Sequence, residues 1–233
     1  MEINPELTTI SVLLIGFLLG LQHAVEADHL AAVSTIVSEK KSLLSASIVG
    51  GFWGIGHTIS LFAVGVAVIL LRLQIPASFE TTIEACVGMM LVVLGVNALR
   101  KLFSAEKFHA HAHAHGEREH VHFHLHEKEE VSSHHRFGPR SIFIGMLHGL
   151  AGSAALMLLL IPTIPSPVLA LGYILVFGFG SILGMMAMSF LIGLPLYLTA
   201  YRFNFLNHGI RLLSGIFSLL LGAFMILERV VLA

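Results

Sequence analysis

Six long, predominantly apolar stretches dominate this chain, at about 7–36, 43–72, 81–103, 141–162, 167–198 and 209–230. Each is long enough to cross about 30 Å of hydrocarbon as a helix, which takes roughly 20 apolar residues. The expected fold is therefore an all-α integral membrane protein with six transmembrane helices. The composition agrees: 56% of the 233 residues are hydrophobic and 12% charged, with a mean hydropathy of +0.87. The opening "MEINPEL" lacks a basic n-region, so the first stretch is expected to remain as a span.

Charge placement predicts orientation. All of the thirteen Lys and Arg except Arg72 and Arg229 fall in the 38–42, 100–140 and 199–211 loops or at their edges. The positive-inside rule puts those loops in the cytoplasm and both termini outside. The net charge of -1 says little about partners, and nothing points to nucleic acid. Cys86 is the only cysteine, which excludes an internal disulfide and a paired-cysteine electron relay.

Three short segments recur in order. "GLQHA" (Gly20–Ala24) matches "GMLHG" (Gly145–Gly149), "FWGIGH" (Phe52–His57) matches "VFGFGS" (Val176–Ser181), and "GMMLVVLG" (Gly88–Gly95) matches "GIFSLLLG" (Gly215–Gly222). The offset stays close to about 125 residues, and because each unit has three spans the second would enter the membrane inverted. The chain thus divides into a first three-helix repeat (1–103), a His-rich cytoplasmic loop (104–139) and a second three-helix repeat (140–233). The "IPTIPSP" turn places Ser166 to cap and Pro167 to open the fifth helix.

Ionisable groups inside the first stretch carry the functional expectation. His23, Glu26, Asp28 and His29 interrupt it, and "LAAVSTIV" then resumes the apolar pattern. A carboxylate at a helix centre costs about 2.5–3.5 kcal/mol on insertion scales, so such groups are read as functional. A helix ending near Leu21 would instead make the cluster interfacial, against the apolar pattern that follows it. Imidazole with carboxylate suits divalent first-row metals, whereas Mg²⁺ and Ca²⁺ prefer all-oxygen sites and the softest ions prefer sulfur. Ni²⁺, Co²⁺ or Zn²⁺ is favoured. At about 100° per residue, an ideal helix cannot aim His23, Asp28 and His29 at one ion. Either the helix unwinds locally, or Asp28 orients a histidine on a neighbouring helix.

Further ligands are expected at His57, with Gly50 and Gly54 on its face, and at His148, the repeat partner of His23. Ser153 falls opposite Asp28 in the repeat, while Glu84, Asn97 and Arg100 read as structural and His208 as a loop residue. In the central loop, His109, His111, His113 and His115, then His120, His122, His124 and His126, alternate strictly. Period-two spacing in an extended chain points each set to one side, a low-specificity chelating comb for metal buffering or delivery. The loop itself is polar and low in complexity, and is expected to be disordered without metal.

The H-x4-D-H spacing of His23, Asp28 and His29 within "HAVEADHLAAV" resembles the signature of the nickel/cobalt transporter (NiCoT) family, nearest to its six-span branch of urease-accessory nickel permeases. "GHTIS" around His57 resembles the family's second histidine motif, and "HGLAGSAAL" its fourth span in the short branch. The likeness implies metal selection and transport for His23, Asp28, His29 and His57. Glu26 stands where the family more usually has aspartate, and the acidic signature of the longer transporters' fourth span is missing. The expected activity is a secondary permease moving Ni²⁺, or Co²⁺, most simply inward; the ion is cargo, with no permanent cofactor. A cytoplasmic metallochaperone is the partner such a permease would serve. An exporter of the same architecture, an intramembrane zinc hydrolase built on His23, His57 and His148, and a metal sensor using the loop are the rival readings. No H-E-x-x-H, serine-hydrolase elbow or nucleotide-binding loop is present.

Overall fold

A computed structural model describes residues 5–38, 40, 42–71, 76–104, 110–115, 118–123, 137–150, 164, 166–200 and 203–230. In chain order they form α1 (Pro5–His23), α2 (Ala27–Val37), α3 (Leu43–Leu71), α4 (Ala77–Ser104), β1 (Ala110–His115), β2 (Arg118–Phe123), α5 (Phe137–Gly149), α6 (Pro167–Thr199) and α7 (Asn204–Val230). Leu43–Leu71, Thr81–Ser104, Pro167–Thr199 and Phe205–Val230 are each long and apolar enough to cross a membrane, and α1 with α2 makes a fifth candidate bent by 55°. Six spans were expected, with the first either unwound locally or with Asp28 serving a neighbouring helix; the first is broken between α1 and α2, and α5 comprises 13 described residues. The remainder of the 141–162 stretch, including Ser153, lies outside the described residues. His208 stands within α7 rather than in a loop, since that helix starts earlier than its apolar run.

Helix packing follows the small residues. Without a hydrophobic drive between helices in lipid, close backbone approach and dispersion must hold a bundle together. α6 lies at the centre, with α1 along one side and α3 along another; α5 runs beside α3, and α4 pairs with α7. Glycines mark the tightest points. A Cβ at Gly20 would strike the Phe177 carbonyl and one at Gly180 that of Phe17; Gly145 meets the Trp53 carbonyl and Gly56 that of Ile142. The α1–α6 pairs and the α5–α3 pairs are thus equivalent contacts displaced by about 125 residues. In the α4–α7 pair Gly88 meets the Gly222 carbonyl and Gly95 that of Gly215, while Ser218 Oγ donates to the Leu91 carbonyl at 2.9 Å.

The outer surface is apolar. Ile10, Leu14 and Leu18 on α1 and Leu213, Leu220 and Phe224 on α7 are exposed at helical spacing, as lipid-facing stripes must be. Buried positions hold small residues, large apolar side chains such as Trp53, Tyr173, Leu91 and Met185, and the polar groups described below. Glu84 pairs with Arg229 where α4 meets the end of α7, which makes both structural. Ser166 caps α6 by accepting from Leu169 N–H at 3.4 Å, with Pro167 in the first turn.

The His-rich segment contains an antiparallel strand pair, whereas disorder was expected. The register sets His111 opposite His122 and His113 opposite His120. Strict alternation of His with Ala, Glu and Val gives both strands a period of two, which a paired strand accommodates. His109, His124 and His126 lie outside the described residues.

Gly145→Val would force α5 off the Trp53 carbonyl. Overpacking of this kind typically costs about 1–3 kcal/mol, so the thermal transition in detergent is expected to fall by several degrees. Gly209→Ala is the matched control: nothing lies within 4 Å of its added carbon, and its transition is expected to stay or rise slightly.

Candidate metal centre

The break between α1 and α2 builds the site. After His23 the chain turns through i→i−3 bonds, Val25 N–H to the Gln22 carbonyl at 3.0 Å and Glu26 N–H to the His23 carbonyl at 3.1 Å. Glu26 is extended (φ -64°, ψ 149°) and precedes the first turn of α2. Its carboxylate reaches back to accept from His23 Nδ1 at 2.8 Å. Asp28 in that first turn accepts at Oδ1 from both the backbone N–H and Nδ1 of His29, at 2.8 and 3.0 Å. The 55° bend therefore does what a straight helix could not, turning His23 and His29 towards each other with ring centroids 4.4 Å apart.

Two other helices complete the cluster. His57, midway along α3, brings Nε2 to 2.9 Å from His23 Nε2. His148, at the end of α5, donates from Nε2 to Asp28 Oδ2 at 3.0 Å and stacks edge-on against His29 at 4.2 Å. His29, His57 and His148 are 0% exposed and His23 is 4% exposed, so four imidazoles share one buried space. Both alternatives for Asp28 hold together: the helix unwinds, and Asp28 orients a histidine on a neighbouring helix.

Ring tautomers decide which nitrogens can bind an ion. Nδ1 of His23 and of His29 donates to a carboxylate, which leaves Nε2 of each neutral ring with a lone pair. His29 Nε2 is buried without a hydrogen-bond partner among the described residues. His57 Nε2 faces His23 Nε2, and a divalent ion bound by both would displace the proton between them. One ligand atom from each of His23, His29 and His57 fits within 4.8 Å of the others, and Asp28, His29 and His148 form a second such group sharing His29. His148 has only Nδ1 uncommitted among the described residues. Glu26 is the most open member, with a side chain 38% exposed.

All six intramembrane residues singled out in the sequence are thus gathered in one place. Trp53 and Phe177 were not anticipated. The Trp53 ring lies 5.1 Å from His29 and 5.4 Å from His148, and Phe177 lies 5.5 Å from His23. Trp53 stands four residues before His57, hence on the same helix face, which would have pointed to it.

Fold and site together define a helical membrane protein with a buried histidine–carboxylate cluster suited to a divalent transition metal. The chain is 38% identical over 213 residues to the urease accessory protein UreH of Bacillus sp. (strain TB-90), covering 91% of this chain and 89% of that protein. It belongs to the family of that urease accessory protein. It is also 26% and 25% identical to the chloroplast proteins FOR GROWTH AND FERTILITY 1 and 2 of Arabidopsis thaliana. Those matches cover 76% of this chain and 48% and 46% of the plant proteins, so the chain spans about half of their length. No family model matches the chain, and no solved structure matches it.

Because Asp28 orients two histidines at once, Asp28→Asn must turn an amide N–H towards one ring and misalign it. Loss of such an orienting group typically costs about 10–100-fold in metal affinity. Cobalt binding to purified protein, followed by visible absorption, is expected to weaken by that factor. Glu26→Gln, on the more exposed carboxylate, should weaken it less.

Proposed function

We propose that the protein is a secondary permease for divalent transition-metal ions, with Ni²⁺ as its principal cargo and Co²⁺ as a second. The observation that carries this reading is the convergence of His23, His29 and His57 from both sides of a broken helix and from α3. Ionisable groups within lipid-spanning segments are costly and typically mark ion pathways, and broken helices around an ion recur in secondary transporters. The nickel assignment draws on the urease accessory relative, urease being a nickel enzyme, and on the H-x4-D-H motif of the NiCoT family.

In this reading His23, His29 and His57 replace part of the hydration shell. Asp28, joined to His148, holds His29 and supplies negative charge; Glu26 holds His23 from the more open side. The hydrolase alternative is less favoured because Glu26 and Asp28 both accept from imidazoles, which leaves neither to activate water. The architecture we propose is six spans in two inverted three-helix repeats, 1–103 and 140–233, with 104–139 as a connecting loop. The equivalent glycine contacts of α1–α6 and α5–α3 support it, as does the self-pairing of α4 with α7. Placement in the cell membrane with both termini outside and the His-rich loop in the cytoplasm rests on the positive-inside rule. On that side the loop histidines would buffer metal or pass it to a metallochaperone.

Proteoliposomes with an indicator trapped inside test the function. Saturable nickel entry is expected for the native chain and a fall of at least about tenfold for His29→Ala and for His57→Ala, since buried ligands act as a unit. Equal entry by all three proteins would contradict the site, and nickel accumulation rising in cells that lack the protein would reverse the direction.

A further inference from the structure

Trp53 and Phe177 complete the enclosure of the histidines without offering a ligand to the ion. Both are buried, and indole nitrogen is a donor only. Their levels along the bundle differ in sign. Trp53 precedes His57 by one turn of α3, about 6 Å along the axis. α6 runs antiparallel to α3, as the contacts Gly50 with Ser189, Thr58 with Gly178 and Gly65 with Ile174 require. By that register Phe177 stands just beyond Thr58, on the other side of His57. The imidazole layer is bracketed by one aromatic ring on each side.

The bracketing is symmetric in the repeat. "FWGIGH" and "VFGFGS" place Trp53 and Phe177 at equivalent positions, and each covers the histidine from the opposite half: Trp53 on His148 at 5.4 Å, Phe177 on His23 at 5.5 Å. Both backbones are pinned at the same points, the Trp53 carbonyl by Gly145 and the Phe177 carbonyl by Gly20. Helix displacement is therefore obstructed there, and the freedom left to each ring is rotation about its side-chain torsions. The Trp53 indole N–H has no hydrogen-bond partner among the described residues, so no bond described here resists that rotation.

We infer that Trp53 and Phe177 are the two gates of the metal site, one towards each membrane face, and that both are shut in this conformation. An ion reaches the histidines from one side when Trp53 swings away and from the other when Phe177 does. An inverted repeat would supply two equivalent gates for alternating access. The inference rests on the permease reading, but its test requires no metal flux.

The full-length chain carrying Cys86→Ser and His57→Cys has one thiol, at the centre of the site. A membrane-impermeant thiol reagent is applied to intact cells and to inside-out vesicles. With both rings present, labelling is expected to be slow from either side. Adding Trp53→Ala should speed it by about tenfold only from the face where α3 begins, and Phe177→Ala only from the opposite face; open minor states of such equilibria are typically about 0.1–10% populated. Trp53→Leu and Phe177→Leu keep more of the packing and should act in the same sense, more weakly, should either alanine variant fail to fold. Acceleration from both faces by either substitution, or none in folded variants, overturns the gates. Side-specific labelling together with no nickel entry by the chain that retains His57 keeps the gates and loses the permease reading; nickel entry by that chain without side-specific labelling of the His57→Cys chain does the reverse.

Discussion

The carboxylate of Asp28 is the interaction on which the site depends. A charge in the middle of a lipid-spanning bundle must be paired and fully hydrogen-bonded or it neutralises itself. Here the two oxygens divide the task, Oδ1 accepting from the backbone and ring of His29, Oδ2 from His148 on α5. One side chain thereby joins the broken first helix to a helix 120 residues further along the chain. It also sets the ring nitrogen that each histidine leaves uncommitted. Removing a partner from such a group leaves the rest buried and unsatisfied, so the cluster behaves as a unit.

Packing makes that pairing possible. Polar atoms can meet across three helices only if the helices come unusually close, and the glycines facing the carbonyls of Trp53, Phe177, Phe17 and Ile142 permit it. The same glycines hold the backbones flanking the histidines in place. Flexibility is then left to side chains and to the short turn between α1 and α2, where two i→i−3 bonds replace the helical ladder.

Much of this was legible in the sequence, for physical reasons that differ by residue. Charged groups within an apolar run stand out because lipid tolerates so few, so His23, Glu26, Asp28 and His29 could be found from composition alone. His57 and His148 were marked by glycines on their faces and by the repeat. The break after His23 was not legible as a position: "HAVEAD" contains neither proline nor glycine, the usual interrupters, and the turn is held instead by Glu26 and Asp28 capturing imidazoles. Nor could the pairing of Asp28 with His148 be read, because a contact between distant helices has no local signature. Trp53 was not singled out, although its place four residues before His57 puts it on the same face of α3.

Locating the bound ion tests the central claim most directly. Diffraction from nickel-soaked crystals, collected at the nickel absorption edge, gives the position of the metal independently of any assumption about ligands. A peak within bonding distance of a ring nitrogen of each of His23, His29 and His57, lost in His57→Ala, is the predicted result. Nickel found only on the His-rich segment, with the buried imidazoles still hydrogen-bonded to one another, would contradict it.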